Sequence, residues 1–109
     1  MIIKVFSIID KVHAVSTEDG EKLYRKITEN FEMSQVVELN FDGIKLILSA
    51  FLNASIGQLY SRYESSYLQQ HLILSHISNE DLTTLKKVTD RAKEYFGDRK
   101  NFENTAKRT

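Results

Sequence analysis

The sequence contains no cysteine. Disulfide cross-links and thiolate metal sites are thereby excluded, an absence compatible with a reducing compartment. Proline is also missing, and the four glycines, Gly20, Gly43, Gly57 and Gly97, lie far apart. So little punctuation leaves no linker, and no internal repeat is present. A phosphate cradle needs clustered glycines so that backbone N–H groups can approach the anion, and this spacing excludes one. No segment approaches the roughly 18 consecutive apolar residues of a membrane-spanning helix. The opening Met1-Ile2-Ile3-Lys4-Val5-Phe6 lacks the basic head, long apolar segment and small-residue cleavage site of a signal peptide. Cytoplasmic location is the expectation, with no membrane partner. Net charge is missing too, because fifteen basic and fifteen acidic residues cancel. No long-range field then draws the chain to nucleic acid.

What is present suits one folding unit. The 109 residues are 41% hydrophobic and 10% aromatic, enough to bury a core without disulfides or a structural metal. Ile2 to Ile9 is rich in Ile, Val and Phe and reads as a strand; Val12 to Val15 reads as a second, shorter one. Ser16-Thr17-Glu18-Asp19 has the hydroxyl and carboxylates of a helix start, and Leu23, Tyr24, Ile27 and Phe31 follow at helical spacing. Val36 to Phe41 is the clearest strand and ends at the turn signal Asp42-Gly43. The short apolar run Ile44 to Leu48 leads into a helix from Ser49, with Leu52, Ile56, Leu59, Tyr60 and Tyr63 on one stripe. His71 to Leu74 reads as a strand, and Asn79-Glu80-Asp81 opens a last helix bearing Leu82, Leu85, Val88, Ala92 and Phe96. The predicted order is β-β-α-β-α-β-α: an α/β fold with a mixed sheet of about four strands covered by about three helices. Residues 1–96 form the domain, and 97–109 are expected to be a polar, frayed tail.

No complete active site is visible. His71 and His76 are five apart, not the i, i+4 pair that shares a helix face, and His13 is isolated. No metal and no cofactor are expected. Ser49 with Asp42 and a histidine would suit a small hydrolase at a strand end, but a Gly-x-Ser-x-Gly elbow is lacking and Ser49 reads more simply as an N-cap. Lys86, Lys87, Arg91 and Lys93 are interleaved with Asp90 and Glu94, the pattern of a solvated helix face. Gly57 falls inside a predicted helix, where glycine costs about 1 kcal/mol relative to alanine. Close packing or the approach of a partner would explain it. Tyr60, Tyr63 and Tyr67 step by three and four; Tyr60 reads as core, Tyr63 and Tyr67 as interface candidates. A tyrosine-bearing helix or a sheet edge could also support a homodimer.

These residues form a recognisable pattern. Ala14 to Gly20 before a helix, the strand to Phe41-Asp42-Gly43, and above all Ser49-Ala50-Phe51-Leu52-Asn53-Ala54-Ser55-Ile56-Gly57-Gln58-Leu59-Tyr60 resemble the bacterial STAS-like family of unknown function. That family is related to the anti-sigma-factor antagonists. In those proteins a serine between the central strand and the next helix is phosphorylated by a histidine-kinase-like ATPase, and the added charge breaks a protein–protein complex. The resemblance implies a non-catalytic regulatory module whose partner is a protein, with a histidine-kinase-like ATPase as the candidate. Its implied partner surface is Asp42, Ser49, Phe51 and Asn53. The antagonists' Asp-Ser-Ser-Gly run is replaced by Leu48-Ser49-Ala50-Phe51, which puts Ala50 at the phosphoacceptor position and Ser49 just before it. A hydrolase and an unmodified scaffold or inhibitor are the alternatives.

Overall fold

The computed structural model describes residues 1–97; the expected polar tail lies outside them apart from Gly97. Strand β1 (Ile2–Lys4) is followed at once by helix α1 (Val5–Ile9), then β2 (His13–Ala14) and α2 (Thr17–Glu32). Next come β3 (Val37–Asn40), β4 (Leu46–Ile47), α3 (Ser49–Ser55) and a 3₁₀ turn (Gly57–Ser61). Helix α4 (Ser65–His71), β5 (Leu72–Ser75), α5 (Asn79–Ala92) and a π-helical turn (Lys93–Gly97) complete the described chain.

The α/β class stands, but strand count and order differ from expectation. The five strands form two ladders, a three-stranded sheet in the order β1-β3-β5 and a separate β2-β4 pair. Every pairing is parallel, so there is no mixed sheet among the described residues. The predicted strand Ile2 to Ile9 stops at Lys4, which pairs with the last residue of β3, Asn40. Beyond that point β3 turns away and leaves no edge for residues 5–9 to join. Val5 and Ile9 are buried whether that segment is helix or strand, because a separation of four satisfies both periods. The run from Ile44 contains a strand of its own, β4, which pairs with β2. The helix from Ser49 breaks after Ser55, and His71 ends α4 instead of starting β5.

The two long helices start as their sequences predict. The Ser16 hydroxyl accepts the Asp19 N–H at 3.0 Å, and Ser78 accepts the Asp81 N–H at 3.1 Å. Both satisfy backbone donors that the first helical turn leaves free. Along α2, Leu23, Ile27 and Phe31 are buried; along α5, Leu85, Val88 and Ala92 are. Between them Ile3, Val37, Leu39, Phe41, Phe51, Leu52 and Leu59 complete one continuous core. The opposite face of the three-stranded sheet exposes Ile2 and Ile73.

Helix α2 meets α3 at Gly20. A Cβ there would stand 2.6 Å from the Phe51 carbonyl oxygen and 2.7 Å from the Ala54 Cβ, so the two helices touch through a missing side chain. Gly57, the glycine that attracts notice in the sequence, opens the 3₁₀ turn, and its added Cβ would make only ordinary contacts from 3.4 Å outward.

Candidate functional site

The candidate surface begins where β3 ends. The Asp42 N–H donates to Asn40 Oδ1 at 2.8 Å, and the Ile44 N–H closes the turn on the Phe41 carbonyl at 3.0 Å. Gly43 supplies the positive φ of 85° in that turn, a conformation costly for other residues. Phe41 is buried while Asp42 is exposed, so the turn presents the Asp42 carboxylate to solvent.

The chain then returns along β2. Lys45 N–H donates to the Val12 carbonyl at 2.7 Å and Leu48 N–H to the Ala14 carbonyl at 3.0 Å. These bonds fix the face that each residue presents. Ile47 is buried, whereas Leu46 and Leu48 on either side are each 46% exposed. Leu48 occupies the N-cap of α3 and makes no capping bond. Ser49, expected at that cap, is instead the first helical residue, and its exposed hydroxyl makes no hydrogen bond with the described residues.

Helix α3 divides the remaining candidates. Phe51, expected on the partner surface, is instead fully buried in the core, where its ring packs between helices and sheet. Ser49 and Asn53, one helical turn apart, are exposed. Asn53 also lines a shallow cleft of about 280 Å³ with Gly57, Arg91 and Phe96. No hydrogen bond or ion pair among the described residues joins Asp42, Ser49 and Asn53 to one another. Ser49 has no bonded histidine, and the three histidines sit in β2, at the end of α4 and just after β5. His76 takes a left-handed φ of 55° there. Among the described residues no group of three His, Asp or Glu side chains could hold a metal ion.

Tyr63 and Tyr67 belong to a second constellation. Their rings stack at 5.1 Å and 16°, and Tyr67 stacks in turn on His71 at 3.9 Å and 9°. Phe31 meets Tyr63 and Tyr67 edge-on at 5.1 and 5.4 Å. At the far end, the Arg62 guanidinium lies 5.5 Å from the Tyr63 ring centre and bridges to Glu32 at 3.5 Å. Both tyrosines are half-buried, and burial pushes the Tyr63 phenol above its ordinary pKa. Their faces are spent on each other, so this ladder fastens α4 to the end of α2 and offers only ring edges outward.

Asp19, which the sequence offers only as a carboxylate of a helix start, is buried. Asp19 is 2% exposed, and Lys11 Nζ reaches its Oδ2 at 2.8 Å while Lys22 lies 3.6 Å from Oδ1. The Lys11 ammonium, through its hydrogen bond, holds the Asp19 carboxyl below its usual pKa, against the opposing effect of burial. The Lys11 pKa is raised by the same bond. This contact ties the loop after α1 to the start of α2. The seven intervening residues include a strand, so no helical spacing announces it.

Comparison with known families bears on the segment that holds these surfaces. A family model, the STAS-like domain of unknown function, matches residues 19–82. The chain belongs to this STAS-like family. The match runs from Asp19 in α2 to Leu82 in α5 and takes in the turn at Asp42, β4, all of α3 and the aromatic ladder. No curated protein and no solved structure gives a significant match. Among the described residues no helix is long and apolar enough to cross a membrane.

Proposed function

We propose that this STAS-like chain is a non-catalytic, protein-binding regulatory module of the cytoplasm. Its partner face centres on Leu46, Leu48 and Ser49, with Asp42 and Asn53 as polar contacts at its margin. The observation that carries this reading is Leu48. Leucine is a poor N-cap, worth about 1 kcal/mol less than serine or aspartate. Here it caps nothing and remains 46% exposed beside a second exposed leucine. Folding alone gains little from that choice. An apolar anchor at a protein interface gains a buried contact, and short polar groups at its rim supply orientation.

The kinship with anti-sigma-factor antagonists suggests a histidine-kinase-like ATPase as the partner. The exposed, unbonded Ser49 hydroxyl favours a regulated version of the reading over a fixed scaffold. A phosphate there would bring a charge of about −1.5 to −2 next to the exposed Leu48 and reverse an apolar interface. The test is a titration of purified partner against wild type and Ser49→Asp. A carboxylate in the first helical turn is favourable for the helix, so the variant should stay folded and bind at least tenfold more weakly. Unchanged affinity would sink the switch. Intact mass after incubation with ATP and the partner separates switch from scaffold by the presence or absence of added phosphate.

A further inference from the structure

The two edges of the three-stranded sheet are built differently. Strand β1 is three residues long, carries Lys4 and runs straight into α1, devices that discourage further pairing. Strand β5 reads Leu72-Ile73-Leu74-Ser75, with no charge, proline or bulge. Its outward groups follow from the bonds it does make. The Ser75 carbonyl accepts the Phe41 N–H at 3.0 Å, so Ser75 faces β3. By the two-residue alternation of a parallel ladder Ile73 does the same, and Leu72 and Leu74 face outward. The Leu72 N–H is taken by the Leu68 carbonyl at the end of α4. The Leu74 N–H and carbonyl have no partner among the described residues.

Beside that free edge lies a cleft of about 420 Å³ between β5 and α5. Leu74, Leu82 and Leu85 give it an apolar floor, and Lys86, Asp90 and Lys93 stand at its rim. Lys86 is paired with Asp90 at 3.2 Å, whereas Lys93 has no ion-pair partner among the described residues. Among the described residues the rim therefore carries one uncompensated positive charge.

We propose that β5 and this cleft bind an extended, acidic segment of a partner protein by strand addition, at a surface separate from the Ser49 face. The free main-chain groups of Leu74 select an extended backbone, the cleft takes an apolar side chain, and Lys93 selects a carboxylate. Charge decides among the occupants. A second copy pairing edge to edge would bring the same lysines together. The chain's own residues 98–109 carry Arg99, Lys100, Lys107 and Arg108 against Asp98 and Glu103, the same sign as the rim.

A capped heptapeptide, Glu-Thr-Val-Thr-Val-Thr-Glu, which sets its valines and glutamates on one face of an extended strand, titrated into the isotope-labelled chain and followed by NMR, tests this. The Leu74 amide should shift with saturation. Lys93→Glu should weaken binding about threefold or more, and Leu82→Lys, at a residue already 39% exposed, should abolish it in a folded protein. A peptide N-methylated at its valines should lose at least fivefold, because it cannot donate to the Leu74 carbonyl. Equal binding by the methylated peptide would overturn the proposal, as would an unmoved Leu74 amide at millimolar peptide. So would a concentration-dependent dimer that protects Leu74 in the absence of peptide.

Discussion

Gly20 is the residue on which the packing of α2 against α3 turns. Gly20→Ala drives a methyl group into the Phe51 carbonyl and the Ala54 side chain. The expected loss is about 1–3 kcal/mol, beyond the small gain alanine brings to a helix. Gly57→Ala meets only ordinary contacts and should change stability by less than about 1 kcal/mol. Thermal melts of the two variants read the contrast directly, since 1 kcal/mol moves the midpoint by about 4–8 °C in a domain of this size. The sequence singled out Gly57 because helical periodicity ran through it. Nothing local marks Gly20, whose constraint comes from Phe51 and Ala54 in a helix far along the chain.

The Lys11–Asp19 contact adds a pH dependence at the same scale. Asp19 has a depressed folded-state pKa, so its contribution is full above the unfolded value of about 4 and is lost as pH falls through the folded value. The raised pKa of Lys11 makes its contribution full below about pH 10.4 and lost as pH rises through the folded value. Denaturant titrations of wild type and Asp19→Asn should differ most near neutrality and converge toward about pH 2. A difference that is flat with pH would deny the carboxylate this role.

Among the elements, those carried by strong local signals were legible. The Ser16 cap, the start of α5 at Asn79, the apolar stripes of α2 and α5, the β3 strand and the Asp42-Gly43 turn can all be read from the residues alone. The short elements cannot. Val5 and Ile9 fit either period, and the choice of helix depends on where β3 ends. Strand β4 has two residues and exists because β2 lies beside it. The candidate site shares that limit: Asp42 and Ser49 were visible as chemistry, but Leu46 and Leu48 acquire meaning only once β4 turns them outward. For α3 this makes a two-sided prediction. Leu48→Ser supplies the missing cap and should raise stability by about 0.5–1 kcal/mol in thermal or urea unfolding. It should at the same time weaken partner binding, a trade that marks a residue kept for function.

At the level of the whole molecule, two parallel ladders and a single core hold separate surfaces apart. The three-stranded sheet carries the open β5 edge, and the β2-β4 ladder carries the leucines beside Ser49. The balanced charge gives the chain no long-range field, so the proposed partner would be held by specific contacts. The most direct test is affinity co-purification from the source cell with mass spectrometry, comparing wild type with Leu48→Asp at matched fold stability. A protein reproducibly retained by wild type and depleted at least tenfold by the variant is the expected result. Equal recovery of every bound protein by the two chains would contradict a partner face at Leu48.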